Sequence, residues 1–190
     1  GSITILEWVH RAASKINNID KIIIATSKDK IDNPIIKLCN DKNYEFYRGD
    51  NNDVLSRIYN SVKKYRPGVV IRITGDCPFL DPNICNYLFL LFKTEEADYA
   101  AISTTWPDGL DCEILKFDVL KNANRNANLQ SDREHVTRWI RKNEFKFKNV
   151  YLPCPYKDIH NYKWSLDYIE DFKLMKKIVN FFSDKKPINF

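Results

Sequence analysis

The chain has 190 residues, is 44% hydrophobic and carries a formal net charge of +5, enough apolar content for one substantial core and no Gly/Ser-rich or Pro-rich stretch to divide it, so a single domain over 1–190 is expected. The longest apolar run, Tyr87 to Phe92, is far short of a bilayer span, no charged and apolar leader opens the chain, and the basic residues form no block interleaved with aromatics, which argues against membrane and nucleic-acid partners. Five cysteines (Cys39, Cys77, Cys85, Cys112, Cys154), odd in number and without a CxxC pair, argue against a disulfide framework or a zinc cluster, and reduced thiols in a cytoplasmic setting are expected.

Along the chain the apolar spacing switches repeatedly between helical and continuous, the signature of a layered α/β domain. A helix is predicted from Ile5 to Ala13 and a buried strand from Lys21 to Thr26. Pro34 suits the first turn of a helix capped by Asp32 or Asn33. Tyr44 to Tyr47 reads as a short strand. Val54, Ile58, Val62 and Tyr65 recur at helical spacing before Pro67 and Gly68. Val69 to Ile73 is apolar except for Arg72, as in a strand buried on both faces of a parallel sheet. A helix from Asn83 to Lys93, strands at Asp98 to Thr104 and Cys112 to Leu115, one or two helices from Val119 to Asn143, and strands near Phe147 to Leu152 and Lys163 to Leu166 complete the pattern. Tyr168, Phe172, Met175, Val179 and Phe182 predict a final helix packed on the sheet.

The most informative segment is Arg72-Ile73-Thr74-Gly75-Asp76-Cys77-Pro78-Phe79-Leu80-Asp81-Pro82, where a β-branched strand stops at a carboxylate and two prolines shape the loop beyond it. Open parallel sheets bind ligands beyond the carboxyl ends of their strands. Asp76 and Asp167, each after a predicted strand, are therefore candidates to hold Mg²⁺, which needs only one or two carboxylates when phosphates and waters complete its shell. On the residues alone Asp76 also reads as a turn aspartate and Asp167 as a helix N-cap. Arg48 follows a strand and either reaches a ligand from the same edge or sits solvated at a turn. Trp106-Pro107-Asp108-Gly109-Leu110-Asp111 has the chemistry of a turn and also offers carboxylates and an aromatic face to a sugar. Asp132-Arg133-Glu134-His135-Val136-Thr137 reads either as a surface ion-pair helix or as a site in which Arg133 clamps an anionic group. His10 and His160 have no partner in sequence, and Glu170 and Asp171 suit the first turn of a helix.

These motifs together resemble the spore-coat polysaccharide (SpsF-like) cytidylyltransferases, which are related to the acylneuraminate and KDO cytidylyltransferases. The resemblance rests on the Arg72 to Pro82 string, on Arg48-Gly49 with Asp53-Val54-Leu55, on Pro107 to Asp111 with Glu113, on Asp132 to Thr137, and on Leu166-Asp167-Tyr168 with Glu170-Asp171. It implies a three-layer α/β/α, nucleotide-diphospho-sugar transferase-like (Rossmann-like) fold with a mostly parallel sheet. It further implies transfer of a cytidylyl group from CTP to a sugar, sugar acid or polyol phosphate for surface-polysaccharide synthesis, with release of pyrophosphate. By the same resemblance, Asp76 and Asp167 bind Mg²⁺, Arg48, Gly75 and Asp76 bind nucleotide, and Asp108, Gly109, Asp111, Arg133, His135 and Lys163 meet a small anionic or hydroxylated acceptor. A homodimer is a further expectation.

Two departures accompany the resemblance. Relatives open with a strand and a basic glycine loop that wraps the triphosphate, whereas this sequence starts with the segment that follows them; a further N-terminal stretch is expected on that ground. Arg138-Trp139 stands where relatives often carry Pro and Tyr. Other readings remain open: a non-catalytic nucleotide-binding or scaffolding domain of a larger synthase, and a nucleotide-sugar glycosyltransferase, which the lack of an Asp-x-Asp motif after a strand disfavours.

Overall fold

A computed structural model describes residues 3–182; the ends of the expected 1–190 domain lie outside the described residues. Thr4 opens α1 (Ile5–Ala13) with a reciprocal capping box: its hydroxyl accepts from the Glu7 amide, and the Glu7 carboxylate accepts from the Thr4 amide. β1 (Ile23–Ser27), α2 (Asn33–Lys42), β2 (Glu45–Gly49) and α3 (Val54–Val62) follow. Asp32 precedes α2 without capping it by its side chain. Its carboxylate instead accepts from Thr26 and Ser27 at the end of β1. β3 (Val69–Ile73) leads into the Asp76 loop, and Asp81 and Pro82 then start α4 (Pro82–Thr94), with Asp81 accepting from the Asn83 amide.

β4 (Tyr99–Ile102) and β5 (Cys112–Lys116) follow. The stretch expected to form one or two helices breaks into three, α5 (Phe117–Asn126), α6 (Gln130–Glu134) and α7 (Arg138–Lys142). The first break comes where Ala127 turns extended and its carbonyl, with that of Asn124, accepts from the Arg133 guanidinium. β6 (Asn149–Leu152) and α8 (Ile169–Phe182) complete the order.

The strands form two sheets, β1-β2 and β3-β5-β4-β6. β1 and β2 are parallel, as are β4 and β6, while β5 runs antiparallel to both of its neighbours. Alternation along the strands builds a core on each face. Cys112, Ile114 and Ala100 pack with Leu88 and Phe92 of α4 and Ala12 of α1, whereas Leu115 and Tyr99 pack with Leu55 of α3, Leu120 of α5 and Ile140 of α7. The layered α/β reading is thus observed, with a mixed sheet.

Two sequence expectations differ in detail. Lys163 to Leu166 forms no strand; only an isolated parallel bridge joins Lys163 to Asp108, because the backbone of this segment bonds to two loops. On α8, Met175 is buried and Ile178 and Val179 join the core, but Phe172 and Phe182 are exposed, as is Tyr168 just ahead of the helix.

Between the two sheets lies a cavity of about 730 Å³ lined by β1, β3, α1 and α3. Lys21, just before β1, sits over the ring of Tyr65, just before β3, at 4.6 Å, so the two strands begin at the same edge. Each strand turns an edge toward this slot, and its walls are mostly apolar, including Val9, Ala13, Ile24, Ile58 and Ile71.

The capping box carries a measurable pH signature. The Thr4 amide, then the Lys42 ammonium 2.9 Å away, lower the Glu7 pKa from 4.5 to about 2. A carboxylate whose folded pKa is depressed stabilises fully above its unfolded value and loses that contribution as pH falls. Urea unfolding should therefore show wild type losing its advantage over Glu7→Gln as pH falls from about 4.5 toward about 2, with a constant difference above that window.

Candidate functional site

The antiparallel β3–β5 register pairs Ile73 with Cys112, so the loop leaving β3 at Asp76 lies beside the loop entering β5 at Asp111. Cys77 bridges them: its thiol lies 3.6 Å from Asp76 Oδ1 and 3.9 Å from Asp111 Oδ2, and 2.9 Å from the Thr74 hydroxyl. This thiol is buried, which pushes its pKa up to about 12 and keeps it neutral. Its chemistry here is packing and weak hydrogen bonding rather than nucleophilic attack.

The segment 163–167 closes over both loops. The Leu166 amide donates to the Asp76 carbonyl at 2.9 Å, and the Trp164 amide to the Asp108 carbonyl at 2.6 Å. The buried Ser165 hydroxyl lies 2.6 Å from Asp108 Oδ2 and 3.4 Å from Asp167 Oδ2. Asp76, Asp108, Asp111 and Asp167 thus converge on one edge, with Gly75 exposed beside them. Ser165 links two of these carboxylates, and sequence reasoning missed it; its only signal was a position two residues ahead of Asp167.

Gly109 is what lets the segments approach. Its φ is +96°, and a Cβ there would stand 2.1 Å from the Ser165 amide nitrogen. Its own amide donates to Asp111 Oδ2 at 3.4 Å. The Asp111 pKa is raised, first by burial and then by the charges of Asp108, Glu113 and Asp76, with the Gly109 amide opposing.

This site accumulates negative charge on hard oxygen donors, which suits a divalent cation such as Mg²⁺. Among the described residues no group of three or more His, Cys, Asp or Glu forms a metal cage, so the fit is to an ion that keeps waters and phosphate oxygens as ligands. Asp167 is shared: Lys163 Nζ lies 2.7 Å from its carboxylate and 3.0 Å from that of Asp171, and holding an ion through Asp167 requires that pair to open. Those contacts raise the Lys163 pKa, Asp167 being the largest cause. Asp171, not Asp167, accepts from the amides of Asp167 and Tyr168 ahead of α8, and the Asp167 amide first, then that of Tyr168, lower its pKa to about 2.

Three expected ligand residues lie apart from this cluster. The Arg48 guanidinium donates to the carbonyls of Ser27 and Asp29 and to Asn33, fastening the loop after β1. Arg133 does not face an open anion site. It clamps Asp53 with two bonds, 2.9 and 2.6 Å, and also donates to the Asn124 and Ala127 carbonyls. Asp53 meanwhile accepts from the Ser56 amide at the start of α3. His135 is exposed at the end of α6. Trp106 is half-buried rather than free, its indole N–H donating to the Leu152 carbonyl at 2.9 Å. It borders a second concavity of about 530 Å³ beside α4, where Tyr87 and Tyr156 are exposed.

One prediction tests the packing. Gly109→Ala should cost at least ~1–3 kcal/mol from backbone strain alone, with the clash against Ser165 added, and chemical denaturation would register it as a lowered midpoint. A midpoint unchanged from wild type would contradict the close approach.

Comparison with known proteins supplies the family of the chain. The chain is 36% identical to protein MJ1063 of Methanocaldococcus jannaschii over 183 residues, covering 96% of this chain and 75% of that one. It is 27% identical to the spore coat polysaccharide biosynthesis protein SpsF of Bacillus subtilis over 172 residues, 90% of this chain and 71% of that one. A cytidylyltransferase structure from Leptospira borgpetersenii superimposes with a TM-score of 0.88 at 25% identity, covering 96% of this chain and 78% of that one. The cytidylyltransferase family profile matches residues 1–186, and the chain belongs to that family of CTP-using nucleotidyltransferases.

Proposed function

We propose that the protein transfers the cytidylyl group of CTP to a hydroxyl- or anion-bearing sugar, sugar acid or polyol phosphate destined for a surface polysaccharide. The observation that carries this reading is the meeting of the Asp76 loop, the 107–111 loop and the 163–167 segment at one sheet edge. The similarity to SpsF supports the polysaccharide role. In the reaction an acceptor oxygen forms a bond to the α-phosphorus, the α–β phosphoanhydride bond breaks and pyrophosphate leaves, a hydroxyl acceptor also giving up its proton to water. A bound Mg²⁺ would neutralise phosphate charge during that exchange.

Asp76 and, once released from Lys163, Asp167 would hold that ion. Gly75, exposed and without a side chain, allows close approach of the nucleotide. Asp108 and Asp111 supply hydrogen-bond acceptors to acceptor hydroxyls, with Gly109 setting the loop that presents them. Lys163 freed from Asp167, and still beside Asp171, becomes available to an anionic group on the acceptor, while His135 lies exposed at the end of α6, apart from the cluster. Arg48 and Arg133 contribute by fixing the loops they bind. Replacing Asp76 by Asn should lower CTP-dependent pyrophosphate release about 10²-fold or more, if ion-borne charge stabilisation is worth several kcal/mol. Turnover equal to wild type would remove Asp76 from the mechanism.

The slot between β1 and β3 supports a second element of the reading. An extended strand, apolar on both faces and about as long as its five-residue neighbours, would join the two sheets, with α1 as the connecting helix of a right-handed crossover. A Val-Ile-Val-Ile-Val run fused ahead of Ile3 should raise the thermal midpoint, and the same run with a central proline should not. Equal midpoints for the two fusions would exclude strand insertion.

A further inference from the structure

Arg72 and Glu113 are Cα partners across the β3–β5 ladder. Arg72 Nη1 lies 2.5 Å from Glu113 Oε2, and the two side chains are 22% and 13% exposed. The other carboxylate oxygen, Oε1, accepts from the Tyr99 hydroxyl at 2.6 Å and from the Thr137 hydroxyl at 2.5 Å. One side chain thus ties together β3, which leads into the Asp76 loop, β5, which Asp111 precedes, β4, and the turn between α6 and α7. Burial alone would raise the Glu113 pKa, but the Arg72 charge, the Thr137 and Tyr99 hydroxyls and the Arg72 hydrogen bond outweigh it and hold the carboxyl below its usual value.

The register also defines the alternative partner open to Arg72. Asp111, immediately ahead of β5, lies two residues before Glu113, and carrying the strand's alternation one position past Cys112 sets it on the Glu113 side. It is therefore diagonal to Arg72, and diagonal positions on adjacent strands, ~7–8 Å apart, are within reach of a long side chain. A half-buried guanidinium deprived of its carboxylate needs another anion, and Asp111 is the one the register offers. An arginine turned onto Asp111 would neutralise the acidic edge from within.

We propose that Glu113 is a positioning residue that keeps Arg72 out of the acidic site, so that Asp76, Asp108 and Asp111 retain the negative charge that attracts a divalent cation. The proposal rests on the cation reading given above.

Mn²⁺ binding to the full chain, followed by the electron paramagnetic resonance of the free ion, tests it in wild type, Glu113→Gln, Arg72→Met and the double variant. Glu113→Gln should weaken Mn²⁺ binding about tenfold or more, the scale for residues that act through a ligand. The double variant, which removes the competing cation as well, should return to within about threefold of wild type. Glu113→Gln binding as wild type does, or a double variant as weak as Glu113→Gln, would overturn the proposal. Should Glu113→Gln fail to fold by near-ultraviolet circular dichroism, Arg72→Met decides: affinity kept within about threefold supports the proposal, and a tenfold loss assigns Arg72 to the site itself. Wild type that takes no Mn²⁺ overturns the cation reading and the proposal with it, an outcome distinct from the variant results.

Discussion

Because β5 runs antiparallel to β3, the start of one strand lies beside the end of the other, and everything at the acidic edge follows from that pairing. In an all-parallel arrangement the loop before β5 would emerge at the opposite edge, far from Asp76. Here the register places Ile73 opposite Cys112, and one buried thiol, Cys77, touches both carboxylates. The segment 163–167 can then close over both loops at once, using backbone amides that would otherwise lack partners. Gly109 makes room for it.

Charge is organised with the same economy. Four carboxylates gather where hydrogen bonds to them come from neutral donors: Cys77, Ser165 and the Gly109 amide. Arg72, whose strand leads into this edge, is satisfied by Glu113, while Arg48 and Arg133 lie apart from it, bound to the loop after β1 and to Asp53. Lys163 is the cation that does enter, and it lies in an exposed pair where the ion pair is weak and exchangeable. An acidic edge whose strand arginine, Arg72, is held by its own carboxylate partner is suited to receive a cation along with a polyanionic nucleotide.

Much of this was legible in sequence, and the reasons differ by residue. A continuous β-branched run ending in Gly-Asp marks a strand end, so the position of Asp76 could be read locally. The Thr4 and Glu7 cap and the Asp81-Pro82 helix start are local chemistry too, although the sequence reading starts those helices at Ile5 and Asn83 and names neither cap. The tasks of Arg48 and Arg133 were not legible, because their partners, the Ser27 carbonyl and Asp53, are 21 and 80 residues away. Lys163 to Leu166 looks like a strand because Trp164 and Leu166 alternate with polar residues just ahead of Asp167, yet its amides reach loop carbonyls rather than a neighbouring strand. Glu113 stood in a recognised motif, but its importance depends on Tyr99 and Thr137, which only the fold brings to it.

The central claim is that these three segments form one substrate site, in which nucleotide, ion and acceptor meet. The most direct measurement is a nuclear magnetic resonance titration of the chain with CTP and Mg²⁺, following backbone amides. The account predicts shifts concentrated in Thr74 to Cys77, Asp108 to Asp111 and Ser165 to Asp167, moving together with one dissociation constant. Shifts confined to the concavity beside Tyr87 and Tyr156, or three segments titrating independently, would contradict it.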